Sequence, residues 1–238
     1  MTSTFVIARW WAFLPYAVVG VLHLVGLFDG VSWLSGGTKV LLMPALLLGV
    51  LVGLRTRRSE VALWGSVGIL FSWAGDVLLS SPGEVGFIAG LGGFMLAHVA
   101  YLVLFLRPLR RGPIPIAALA LVVWWIALLA LLWPYLGSLL VPLAVYGLVL
   151  GSSTAASFGT SRIIAAGALF FLLSDTLLSF KLFVPEFAMW QSDFWIMLGY
   201  IVGQGLIGYG AVRQSNRGRL ATSEPAPDQP LADVAATR

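Results

Sequence analysis

Two aspartates stand where a charged side chain is costly. Asp76 lies in FSWAGDVLLS and Asp175 in LFFLLSDTLLSF, each within a run of apolar residues. Ionisable groups inside such runs are rare and mark functional sites. A pair of carboxyl groups suits acid–base work, one giving a proton while the other orients water or stabilises a developing cation. Ser72 and Ser80 lie four residues either side of Asp76, Ser179 lies four beyond Asp175, and Ser174 is adjacent to it. On a helix the four-residue neighbours share a face with their aspartate, so these hydroxyls are expected to hydrogen-bond the carboxyl groups. His98 and Tyr101 share a face at a spacing of three, and Tyr200 and Gln204 at a spacing of four. Lys39 opens an apolar run in GGTKVLLMP and is placed either to bind an anion or to reach the lipid headgroups. Packing and interhelix hydrogen bonds are the competing roles for His98, Tyr200 and Gln204, and packing is the expected role for His23.

The elements that must position these residues follow from composition. Of 238 residues, 59% are hydrophobic and 10% charged, with a mean hydropathy of +0.95. Soluble domains are about 45–50% apolar and about 25% charged, so a soluble enzyme or nucleic-acid module is excluded as a reading of the whole chain. A bilayer-crossing helix needs about 20 mainly apolar residues. Eight stretches qualify, at roughly 11–28, 38–54, 61–80, 86–106, 114–133, 138–156, 161–183 and 193–212. The expected fold is all-α, a polytopic membrane protein with eight transmembrane helices over 1–212. The first stretch lacks a compact basic start and a small-residue cleavage site, so it reads as a span and not a signal peptide. Residues 213–238 are polar and rich in Pro and Ala, and read as a disordered cytoplasmic tail.

The basic residues set orientation. Arg9, Arg55, Arg57, Arg58, Arg107, Arg110, Arg111, Arg162, Arg213, Arg217, Arg219 and Arg238 all fall on one side of the eight spans. Lys39 and Lys181 fall on the other. By the positive-inside rule both termini are cytoplasmic in a multi-pass protein of the cell membrane. The sequence pI of about 9.8 is then a signal of topology and of contact with anionic membrane lipid, with no nucleic-acid partner implied.

Two segments recur at nearly the same offset. Residues 68–80 (GILFSWAGDVLLS) match 167–179 (GALFFLLSDTLLS) at seven of thirteen positions, including Asp76 with Asp175. Residues 41–53 and 139–151 share the Leu-Leu, Pro and two Gly positions, and Tyr101 pairs with Tyr200. This predicts a 4+4 internal repeat with halves at about 1–106 and 107–212. Four spans per half is an even number, so the repeats are parallel, with the site expected between them.

Other chemistries lack their residues. There is no Walker loop, dinucleotide fingerprint or nucleophile elbow, and no cysteine. Two histidines on separate spans make a poor zinc set. No cofactor and no metal are expected.

Together the blocks K-x-x-x-M-P at Lys39–Pro44, L-F-x-x-x-G-D-x-L-L around Asp76, G-x-F-x-x-A-H-x-x-Y from Gly92 to Tyr101, G-A-L-x-F-x-x-S-D from Gly167 to Asp175, and the Tyr200/Gln204 segment resemble the lysoplasmalogenase, or YhhN-like, family of integral membrane proteins. The resemblance runs from about residue 38 to 212. It implies hydrolysis of the vinyl ether bond of a lysoplasmalogen, giving a fatty aldehyde and a glycerophospho-ethanolamine or -choline. It carries over Asp76 and Asp175 as catalytic residues, with Lys39, His98, Tyr101, Ser174, Tyr200 and Gln204 as substrate-binding or supporting residues. The implied partner is a lysophospholipid, and the sequence holds no signal for an oligomeric state. The residues fit that chemistry, because protonating a vinyl ether gives an oxocarbenium ion, the problem two carboxyl groups solve in glycosidases. A lipid or small-molecule transporter with an acidic intramembrane site is the alternative, since parallel repeats with buried acids also occur in carriers.

Overall fold

The computed structural model describes residues 9–223, with side chains described to 217. After a 3-10 turn at Trp10–Phe13 come α1 (Leu14–Phe28), α2 (Ser32–Gly53), α3 (Glu60–Leu79), α4 (Glu84–Leu106), α5 (Ala120–Leu136), α6 (Leu140–Ser157), α7 (Arg162–Phe183) and α8 (Ser192–Ser223). No strand occurs among the described residues. Seven helical stretches are long and apolar enough to cross a membrane, and the chain is a helical multi-pass membrane protein. The expected fifth and sixth spans fall in one 42-residue stretch, Ile116–Ser157. That stretch breaks at Gly137, whose φ of 48° and ψ of −122° suit glycine. Beyond the break α6 folds back on α5, with Trp125 Nε1 donating to the Ala144 carbonyl at 3.0 Å.

Polar side chains are buried within the apolar core while large apolar ones face outward. His23, Ser72, Asp76, His98, Ser153 and Gln204 are buried, whereas Val123, Ile126, Leu131 and Trp133 of α5 are exposed. An apolar exterior of this extent is a lipid-facing surface. Around the core, α1, α2, α3, α4, α6, α7 and α8 succeed one another as neighbours, α8 returns to α1, and α5 lies outside α6 and α7.

The tightest helix pairs are α3 with α4 and α7 with α8. A Cβ on Gly93 would sit 2.9 Å from the Gly75 nitrogen, and one on Gly203 would sit 2.8 Å from the Phe171 nitrogen. Small residues let backbones approach this closely inside a membrane. These two pairs hold the aspartate-bearing α3 and α7 in place.

The links that carry the arginines converge at one end. Arg9 Nη1 donates to the Val52 carbonyl at 3.4 Å. The Arg55 amide donates to Asn216 Oδ1 at 3.1 Å, and the Arg111 amide to the Gly159 carbonyl at 2.8 Å. At the opposite end Gln191 donates to the Phe28 carbonyl at 3.2 Å.

Two sequence expectations are corrected. Lys39 does not open its helix. The Ser35 amide donates to the Val31 carbonyl at 3.1 Å and α2 begins at Ser32, so Lys39 is about two turns inside. The stretch 213–223 is helical and not disordered. Gln214 and Asn216 are buried because their amides donate to the Leu109 and Gly53 carbonyls, which the neighbouring helix ends leave without helical partners. The remainder of the expected tail, 224–238, lies outside the described residues, as does the side chain of Arg219.

The glycine contacts are testable. Gly93→Ala and Gly203→Ala should each destabilise the protein by about 1–3 kcal/mol through overpacking. Gly92→Ala, where nothing lies within 4 Å of the added carbon, should not. Thermal unfolding in detergent reads the difference.

Candidate active site

A cavity of about 270 Å³ lies at the end of the bundle away from the arginines, and Lys39, Asp76, Ser174, Asp175 and Tyr200 line it. The two aspartates, 99 residues apart in sequence, thus face the same space. α3 presents Asp76 in its last turn and α7 presents Asp175 two turns before its end, both on outward-running helices by the sequence reading. At the mouth Lys181 pairs with Asp193, whose side chain is well exposed.

Each carboxyl group accepts a hydrogen bond from a tyrosine on another helix. Tyr200 Oη of α8 donates to Asp76 Oδ2 at 2.7 Å. Tyr146 Oη of α6 donates to Asp175 Oδ2. A carboxyl oxygen that accepts such a bond has the partner it needs inside a membrane. The expected serine partners do something else. Ser80 and Ser179 donate to the backbone carbonyls of Asp76 and Asp175, both at 2.8 Å. This is the usual back-bonding of a helical serine four residues on. Ser72 accepts from Gln204, and Ser174 donates to the Ile196 carbonyl. None of the four touches a carboxylate oxygen.

Lys39 Nζ donates to Ser80 Oγ at 3.0 Å, which tethers the ammonium beside the last turn of α3. His23, read as a packing residue, also lines the cavity. Its Nδ1 lies 3.0 Å from the Ser35 carbonyl and 3.0 Å from Thr38 Oγ1. A carbonyl only accepts, so Nδ1 carries the proton.

His98, Tyr101 and Gln204 do not line the cavity. They form the layer behind it. Tyr101 Oη donates to Gln204 Oε1 at 2.6 Å, and Gln204 Nε2 donates to Ser72 Oγ at 2.9 Å. His98 Nδ1 lies 3.0 Å from Ser153 Oγ. Its ring meets Phe171 edge-on at 4.6 Å, and Phe171 meets Tyr200 at 5.3 Å. These contacts fix the helices whose next residues face the cavity. Among the described residues no group of three or more His, Asp or Glu is gathered to hold a metal ion.

The model of the YhhN family matches residues 32–211, which contain every one of these groups except His23. The chain belongs to the YhhN family. Curated proteins named lysoplasmalogenase from Mycobacterium bovis and Mycobacterium tuberculosis are each 32% identical to this YhhN-family chain over 133 residues, 51% of it and 50% of the relative. The chain therefore spans about half the length of the curated relatives it matches. No solved structure is a significant match.

Sequence reasoning missed Tyr146. Its signal was a lone tyrosine in LLVPLAVYGLVLG, where the related segment 41–53 has Leu48. The layered arrangement gives a stability test. Gln204→Leu strands the Tyr101 and Ser72 hydroxyls and should destabilise the fold by about 1–2 kcal/mol. Lys39→Met, at a partly exposed position, should leave the thermal midpoint nearly unchanged.

Proposed function

We propose that this protein is a membrane-embedded, lysoplasmalogenase-like hydrolase that cleaves a vinyl ether bond by acid–base catalysis between Asp76 and Asp175. The observation that carries the reading is that both aspartates line one cavity with Lys39 beside them. Membership of the YhhN family and the name of the curated relatives support the choice of substrate class, a lysophospholipid with an alkenyl chain.

The chemistry balances with water alone. One carboxyl group gives its proton to the β-carbon of the vinyl ether, and the electron pair of the double bond forms the new C–H bond. The α-carbon becomes an oxocarbenium ion, which the other carboxylate stabilises. That carboxylate takes a proton from the water that attacks the α-carbon. The resulting hemiacetal collapses to a fatty aldehyde and a free glycerol hydroxyl on the glycerophospho-ethanolamine or -choline. The Tyr200 and Tyr146 hydroxyls hold the two carboxyl groups in place, and the Lys39 ammonium neutralises the substrate phosphate.

The reading includes a topology of eight crossings, with α5 and α6 as separate spans, and both termini on the cytoplasmic side of the cell membrane. The convergence of the arginine-bearing links at one end supports that orientation. A parallel 4+4 repeat is supported by the corresponding neighbours: α2 lies against α8 as α6 lies against α4, and α3 pairs with α4 as α7 pairs with α8.

Asp76→Asn and Asp175→Asn should each lower aldehyde release from lysoplasmalogen by about 10²–10⁴-fold, the usual weight of a positioned acid or base, while the protein remains folded. The assay uses purified protein in detergent, where no gradient exists. Near wild-type rates in both variants would remove the dyad, and no aldehyde release from the wild type would remove the hydrolase reading.

A further inference from the structure

We propose that an apolar passage, starting at Asp175 and running between α4, α6 and α7 to the lipid, receives the single hydrocarbon chain of the substrate. This rests on the reading of the site as a lysophospholipid hydrolase. Asp175 is in the wall of three cavities. The first is the cavity with Lys39 and Asp76, whose walls carry most of the polar groups among apolar ones such as Leu27, Ile196 and Met197. The second lies on the far side of the carboxyl group, walled by Leu91, Leu143, Leu178, Leu182 and Phe183. The third lies beneath α5, walled by Trp124, Trp125, Leu128 and Leu132. The first two share Leu79, Phe94 and Leu178. The second and third share Leu143, Tyr146 and Ser179. The three spaces therefore have common walls and meet at one residue.

The chemistry of the walls changes across Asp175. Lys39, Ser32, Ser35, Asp76 and Ser174 face the first cavity. The second is polar only at Tyr146, Asp175 and Ser179. There the Tyr146 hydroxyl is bound to Asp175 and the Ser179 hydroxyl to a backbone carbonyl of its own helix. With those groups engaged, the passage offers hydrocarbon to its occupant. Leu182 on its wall is 47% exposed, so this wall of the passage borders the lipid-facing surface. The apolar chambers are small, about 40 and 20 Å³ against about 270 Å³ for the first cavity, so a long chain enters them only by parting the side chains of their walls. The bond to be broken joins a polar glycerol to an apolar chain. It has to lie where a cavity that bears charged and polar groups gives way to an apolar one, and Asp175 stands at that boundary.

Leu143 tests the assignment, because it walls both apolar chambers and is absent from the first cavity. Leu143→Trp should lower kcat/KM at least tenfold for an 18-carbon alkenyl chain and less than threefold for an 8-carbon chain. Leu143→Ala should raise the preference for a methyl-branched chain over a straight one at least threefold. An unchanged chain profile in both variants overturns the passage. A second measurement holds even if Leu143→Trp does not fold or the wild type releases no aldehyde. A non-cleavable 1-O-alkyl lysophospholipid, brominated along its chain, should quench wild-type tryptophan fluorescence saturably. Replacing Trp124 and Trp125 by Phe should remove a measurable part of that saturable quenching. Quenching that is the same in the double variant overturns the passage, whereas absent aldehyde release with quenching that depends on Trp124 and Trp125 overturns only the hydrolase reading.

Discussion

Holding two carboxyl groups within an apolar slab is the constraint on which the structure depends. Such a group is tolerated inside a membrane only when it faces the bundle interior and has partners. Tyr200 on α8 meets that need for Asp76 on α3, and Tyr146 on α6 meets it for Asp175 on α7. Each bond also ties two helices together, so the chemistry and the architecture share the same contacts. The glycine-mediated approach of α3 to α4 and α7 to α8 then fixes where the aspartates stand. The second layer of Tyr101, Gln204 and Ser72 locks α4, α8 and α3 behind them.

Much of this was legible in the sequence, for physical reasons. Apolar run length and the one-sided arginines report on crossing a bilayer, which is a property of composition. Asp76 and Asp175 stood out because charge is so rare in those runs. Their hydrogen-bond partners were not legible. A spacing of four places a serine on the same helical face as its aspartate, yet the hydroxyl of Ser80 or Ser179 finds its own helix carbonyl first. The tyrosines that do bond the carboxylates lie 124 and 29 residues away, and only the packing of α8 on α3 and α6 on α7 brings them there. Gln214 and Asn216 looked like tail because they are polar, but they close the ends of other helices. His23 read as packing because it stands inside the first apolar span, whereas its ring borders the cavity with one edge bound to α2.

The two sequence-related segments deliver their aspartates to one cavity without giving them matching environments. Tyr200 reaches Asp76, while the related Tyr101 turns to Gln204, and Asp175 takes its partner from Tyr146. Asp76 is buried, and Asp175 is partly exposed and borders the apolar chambers. Inequivalent surroundings are what a pair of carboxyl groups needs to divide acid and base roles. In this account the related segments supply the pair, and the divergence around them supplies the division of labour.

The central claim is that the protein places a proton on carbon and not merely on oxygen. Purified protein should be incubated with a lysoplasmalogen in D2O, and the aldehyde reduced at once to the alcohol to prevent later exchange. Mass spectrometry then counts deuterium bound to carbon. Protonation of the vinyl ether at its β-carbon predicts one deuterium at C2 of the released chain. Aldehyde released without carbon-bound deuterium would contradict the account.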